Sequence, residues 1–277
     1  MKRLILLVIL LIIGKASFAA SDIFLISQYP QPGRCFEVKV KPESGVKIIA
    51  VHFLGRKIAG YGLRAIVGIP PEQKPGGYDL KVVLKNASGG QEEINQILLI
   101  KKKTFPKVSF WLKPAKHKLL QAKDLIADEW SRVEKVLMVE TPEQAWQGEF
   151  TLPVSGEVSM LFGTKEYVNR RPRSQHRGMD LAVPLGTKVS AANDGTVVFA
   201  DKLTAFGGTL VIDHGQGVFS LYFHLSKFLA RPGNKITKGQ LVALSGNTGI
   251  SSGPHLHWGM SVHDLRVDPL QWTEKVM

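Results

Sequence analysis

Three short runs of this sequence carry side chains whose types and spacing could do chemistry together: HRGMD at 176–180, SLYFHLS containing His224, and PHLHWG containing His255 and His257. His176 and Asp180 lie four positions apart. Four residues is about one helical turn or two strand pleats, so either conformation puts imidazole and carboxylate on one face, where both can reach one divalent ion. Gly178 between them and the apolar Leu181, Ala182 and Val183 after them favour the start of a strand over a helix interior. On a strand, His255 and His257 point to one side, with Leu256 and Trp258 on the other. Two neighbouring core imidazoles would demand too many buried partners, and the glycines and serines of SGNTGISSG just upstream place the pair at the rim of a cleft. Around His224, alternation assigns Leu221, Phe223 and Leu225 to one face and Tyr222 and His224 to the other. Taken singly, HxxxD is a common surface pair and His224 a half-buried structural histidine. Together they offer four imidazoles and one carboxylate, more than the three protein ligands of a catalytic zinc site with its fourth position open to water. The surplus suits proton transfer, and the chemistry indicated is hydrolysis.

Of the eight histidines only His52 and His117 precede residue 176. His52 lies on an alternating strand and reads as packing or surface, His214 in IDHGQG as structural, and His263 as an exposed bystander. The single cysteine, Cys35, permits no intrachain disulfide and no CxxC pair, which leaves any metal to His and carboxylate ligands. Lys and Arg number 36 against 23 Asp and Glu, a formal charge of +13, so an acidic partner is expected: nucleic acid, anionic lipid or an acidic wall polymer. Met1, Lys2 and Arg3, the apolar run Leu4 to Ile13 and the small residues up to Ala20 read as an export signal cleaved after Ala19. The apolar run is too short to span a bilayer comfortably. Cleavage removes Lys2, Arg3 and Lys15 and lowers the charge by three, to +10. Export to the periplasm or another extracytoplasmic space sets nucleic acid aside, implies no stable membrane insertion once the signal is cut, and favours an acidic envelope polymer.

The elements that must position these residues are mainly β. Residues 22–103 alternate apolar and polar in short runs between Pro- and Gly-containing turns, the pattern of a small N-terminal β-sandwich, and Lys101, Lys102 and Lys103 mark its solvated edge. Residues 104–147 form a helical connector, with Leu119, Ile126, Trp130, Val133 and Leu137 as the stripe of one amphipathic helix packed between two domains, or lying over the active face and restraining it. From residue 148 to 277 glycine-divided strands indicate an antiparallel β domain, and Asn193-Asp194-Gly195 between two β-rich runs predicts a hairpin.

The ordered series Phe162-Gly163, HRGMDLAVPLGTKV, NDGTVV, GGTLVIDHGQGVFSLYFHLS, GQLVALSGNTG, GPHLHWGM and VDPLQW, across roughly residues 150–272, resembles the LytM/lysostaphin-type zinc endopeptidases that cut peptidoglycan peptides. The β segment and helix before it resemble the accessory region of envelope members. The resemblance implies a lysostaphin-like catalytic domain in which His176, Asp180 and His257 hold one Zn2+ per chain, His255 is the general base, and His224 assists it and with zinc steadies the oxyanion. Tyr167, Asn169, Arg170, Arg171 and Arg173 resemble the family's substrate-facing loop, with Glu166 and Gln175 standing where a basic residue and a proline are expected. The implied partner is peptidoglycan and the implied bond D-Ala to meso-diaminopimelate, with pentaglycine as second choice. A catalytically silent wall-binding or hydrolase-regulating protein on the same fold is the alternative. The sequence leaves the oligomeric state open.

Overall fold

The N-terminal alternations form seven strands: β1 (Ile23–Ile26), β2 (Cys35–Val40), β3 (Lys47–Phe53), β4 (Arg56–Gly62), β5 (Arg64–Gly68), β6 (Gly76–Lys85) and β7 (Gln91–Ile100). The computed structural model describes residues 23–26, 30–41 and 45–274, and the segment read as an export signal lies outside the described residues. The strands run in the order β1-β2-β5-β4-β3-β6-β7, with β4 joined to β5 through the pair Tyr61↔Arg64. Phe36 of β2 meets Phe53 of β3 edge-on, ring centroids 5.3 Å apart, although those strands are not neighbours in the order. The path therefore folds into two layers over one core containing Val38, Val51, Leu80 and Val82, the expected sandwich.

This unit ends at Lys103, and a second compact unit spans residues 104–275. The second contains β8 (Lys107–Phe110), α1 (Pro114–Gln121), α2 (Lys123–Leu137), β9 (Glu157–Met160), β10 (Lys165–Val168), β11 (Arg171–Gln175), β12 (Met179–Ala182), β13 (Lys188–Ser190), β14 (Gly195–Leu203), β15 (Gly207–Gly215) and β16 (Val218–Leu225). β17 (Lys227–Phe228), β18 (Lys235–Ile236), β19 (Leu241–Leu244), β20 (His255–Val262) and β21 (Leu265–Val267) complete it. Its main sheet has the order β18-β14-β15-β16-β20-β12-β9 and sets three site-bearing strands side by side: β16, β20 and β12. A small sheet, β11-β10-β8, stands beside it, and in it β8 runs parallel to β10. No helix among the described residues is long and apolar enough to cross a membrane.

Three sequence expectations need correction. The single helix is two, because Ala122 takes ψ 69° and its N–H turns back to Leu119 O; neither Pro nor Gly marks the break. Only α2 carries the packed stripe. Its Val133 and Leu137 bury against Leu203, Val211, Phe219 and Leu221 of the main sheet, each contributing roughly 1.5–3 kcal/mol. Asn193-Asp194-Gly195 is not a hairpin, since β13 pairs with β19 and β14 with β15. Asn193 instead ties down a distant segment, accepting from Gln147 N and donating to Gln147 O and Glu149 O. His263 is not exposed either. It and Asp264 take φ 47° and 67° in the turn between β20 and β21, and the ring folds over Gly217, where an added Cβ would come within 2.5 Å of it.

His214 is structural, as expected. It is fully buried, its Nδ1–H donates to Asp194 O at 2.6 Å, and Nε2 lies 2.8 Å from Ser220 Oγ. Burial pushes its pKa down to about 4. The unfolded chain, with an ordinary value near 6.5, takes up the proton first as pH falls, so the stability His214 contributes is complete above pH 6.5 and is lost between about 6.5 and 4. At about 1.4 kcal/mol per pH unit this amounts to about 3 kcal/mol by pH 4. Thermal melts across that window should show a steeper fall for the wild type than for His214→Gln; parallel falls would assign the acid sensitivity to other groups.

Candidate functional site

β12 pairs antiparallel with β20 in the register Asp180↔His257 and Ala182↔His255, and β20 pairs with β16 through Phe223↔His257. Strand pairing alone therefore brings Asp180 beside His257. His176 precedes β12 and is held by its backbone, its N–H donating to Thr164 O and its carbonyl accepting from Gly163 N, both at 2.8 Å. Gly178 lets the link pass close to β20: a Cβ there would lie 2.4 Å from His257 Nε2 and 2.6 Å from Trp258 O.

Three atoms converge. His176 Nε2 is 3.0 Å and His257 Nδ1 2.8 Å from Asp180 Oδ1, and the two nitrogens are 2.9 Å apart. These three are the metal-competent His/Asp cluster among the described residues, with ligand atoms all within 4.8 Å of one another. His176 Nδ1 faces Leu161 O at 3.2 Å and carries its proton there, so Nε2 presents a lone pair to the cluster. An arrangement of two imidazole nitrogens and one carboxylate oxygen aimed at one point is the donor chemistry of a zinc-type cation. Burial alone would raise the Asp180 carboxyl, but His176 and His257 outweigh it and hold it well below the usual carboxylate range. Burial works to lower His176, yet the charge and hydrogen bond of Asp180 leave its pKa raised. Burial brings His257 down to about 4.

The other two histidines stand at the edge of this cluster. His255 Nε2 is 3.7 Å from Asp180 Oδ1, and its Nδ1–H donates to Gly253 O at 2.8 Å, with Ser251 Oγ at 3.2 Å. His224 Nδ1–H donates to Thr248 O at 2.8 Å, and its ring centroid lies 4.8 Å from that of His255. Each imidazole thus has its proton fixed on Nδ1 and a lone pair on Nε2. Simple alternation fails at His224. Phe223 sits on the His257 side, with rings 5.3 Å apart, so a regular strand would send His224 to the opposite face. A φ of 61° turns it back toward the site, a left-handed conformation that costs a non-glycine residue of order 1–3 kcal/mol and tends to occur at functional positions. Burial, followed by the charges of His255 and His257, lowers its pKa well below 6.5. With its proton on Nδ1, His224 presents an Nε2 lone pair that can accept a hydrogen bond.

The loop read as substrate-facing forms the hairpin β10–β11. Glu166 is buried there with Arg173 Nη1 at 3.2 Å, which explains an acid where a base was expected, and Gln175 Nε2 donates to Gly163 O. Arg170 lies over the exposed Trp111 ring at 5.7 Å, and Asn169 Oδ1 accepts from Leu112 N. Arg266 belongs to none of the motifs read from the sequence. It is buried, with its guanidinium between Trp130 and Phe223, 5.7 and 5.5 Å from the ring centroids, and burial lowers its pKa to about 9. Through Phe223 this cation backs the His257 ring.

Residues 174–269 match Peptidase family M23. The chain is 42% identical over 96 residues to peptidoglycan DD-endopeptidase ShyA of Vibrio cholerae, covering 35% of this chain and 22% of that protein. It is 35% identical over 113 residues to DD-carboxypeptidase/endopeptidase Mpg of Neisseria meningitidis, covering 41% of this chain and 26% of that protein. The matched segment thus spans about a quarter or less of these relatives. The crystal structure of a Pseudomonas aeruginosa chain assigned to peptidase M23 superposes with a TM-score of 0.67 at 26% identity, covering 90% of this chain and 96% of that one.

Proposed function

We propose, from a chain whose residues 174–269 are a Peptidase family M23 domain, that this protein is an exported zinc endopeptidase that hydrolyses peptide cross-links of peptidoglycan, with D-Ala to meso-diaminopimelate as the bond. The observation that carries the reading is the convergence of His176 Nε2, Asp180 Oδ1 and His257 Nδ1 beside two further imidazoles with outward lone pairs. The first three residues hold zinc. When bound, zinc polarises the scissile carbonyl, steadies the charge that develops on its oxygen and makes water more acidic. His255 takes the proton of the attacking water at Nε2 and returns it to the leaving amine, while the Gly253 carbonyl keeps its other nitrogen protonated and the ring oriented. His224 accepts a hydrogen bond at Nε2 and so orients the water. The net positive charge favours encounter with a carboxylate-rich wall, and residues 1–19 supply the export signal. The relatives named as peptidoglycan endopeptidases support this substrate class.

Purified sacculi incubated with the protein should release fragments whose masses correspond to cleavage between D-Ala and diaminopimelate, and a zinc chelator should suppress the release. Binding to sacculi without any released fragment would instead favour the silent wall-binding reading.

A further inference from the structure

Two turns hold His224, one by its backbone and the other by its ring and the carbonyl of Leu225, and each turn is held by a helix that lies before the family-matched residues 174–269. The first turn, 204–206, joins β14 to β15. Its Phe206 O accepts from His224 N, and its Ala205 O accepts from Ile250 N at 2.7 Å. The second turn, 247–250, supplies Thr248, whose carbonyl takes the His224 Nδ1–H and whose hydroxyl donates to Leu225 O and accepts from Gly208 N. The turns are pressed together, since a Cβ on Gly249 would lie 2.4 Å from Gly207 N. Glu129 of α2, buried, accepts from Thr204 N and from Ala205 N at 2.8 Å, and its neighbour Trp130 packs on Phe206 with centroids 5.9 Å apart. Lys116 of α1, half-buried, donates to Asn247 O at 3.1 Å and to Gly249 O. A carboxylate meeting two amide hydrogens and an ammonium meeting two carbonyls are charge-assisted bonds, the strong class. These hydrogen bonds of Lys116 and Glu129 run to the turns and not to His176, Asp180 or His257.

We propose that Lys116 and Glu129 are positioning residues for His224: they clamp the two turns that force its left-handed backbone and fix its proton on Nδ1. The helical segment then supports the site through these two turns. This inference rests on the catalytic role given to His224 above.

The test uses the full chain with Glu129→Gln, which sets an amide N–H2 against one of the two backbone donors, with Lys116→Met, and with Lys116→Arg as the conservative variant. Expected is a 10- to 100-fold fall in kcat for Glu129→Gln and Lys116→Met, the scale of a misplacement of about 1 Å, with KM and bound metal within twofold of wild type. Burial and the bond to Thr248 O should make the His224 Nδ1–H resonance observable in the wild type; it should broaden or vanish in both variants, and Lys116→Arg should restore kcat and resonance. A lowered melting temperature with wild-type kcat and an intact resonance would overturn the proposal, as would loss of metal in parallel with kcat. Should Glu129→Gln fail to fold, Lys116→Met alone decides. A wild type that cleaves no cross-link would sink the proposed function, while the resonance would still report whether the clamp exists.

Discussion

His255→Ala is expected to retain metal at the wild-type level and to lower kcat by about 10²- to 10⁴-fold, the range that general acid–base groups contribute. Retention follows from geometry. His255 Nε2 is 3.7 Å from Asp180 Oδ1, whereas the three converging atoms lie 2.8–3.0 Å from one another. The fold should tolerate the change, because the hydrogen bonds lost run to Gly253 O and Ser251 Oγ at the rim and not to a core strand. With the acceptor gone, neither the water proton nor the leaving amine has a partner placed for transfer, while the groups that bind substrate are untouched, so KM should change little. Metal analysis of the purified variant beside single-turnover cleavage of a cross-linked peptide checks both halves. Turnover at the wild-type rate would remove His255 from the mechanism.

Asp180→Ala should do the opposite and remove metal and turnover together. Asp180 Oδ1 is the shared neighbour of both imidazole nitrogens, and its charge is what raises the pKa of His176 against burial. Replacing an outer-shell partner of a metal ligand typically costs 10- to 100-fold in affinity; loss of one of three direct ligands should exceed that and leave the dialysed protein with background metal and no measurable cleavage. Asp180→Asn, which keeps the shape without the charge, should fall between. Stoichiometric metal in Asp180→Ala would mean that the cation binds elsewhere.

The His176, Asp180 and His257 cluster was legible because strand pairing converts sequence spacing directly into spatial spacing. Asp180 of HxxxD lies on β12 and HxH on β20, and the antiparallel register puts Asp180 opposite His257, with His176 just before β12. His224 was legible by motif but not by geometry, since the alternation that assigns faces assumes φ below zero and this residue violates it. The break at Ala122 left no trace in composition, and Asn193-Asp194-Gly195 misled because its side chains bond to residues 147 and 149 and not across a turn. Arg266, Glu129 and Lys116 were out of reach for a common reason. Each is an unremarkable charged residue in sequence and acquires its role only from aromatic rings or backbone groups brought to it by tertiary packing.

The left-handed backbone of His224 has an evolutionary consequence. Asn or Gly at this position would relieve strain of order 1–3 kcal/mol while giving up a hydrogen bond to Thr248 O worth about 1 kcal/mol. Backbone strain and this one hydrogen bond therefore give folding no reason to prefer histidine here. A lineage in which the proposed hydrolysis is no longer selected would be free to replace it and relieve that strain.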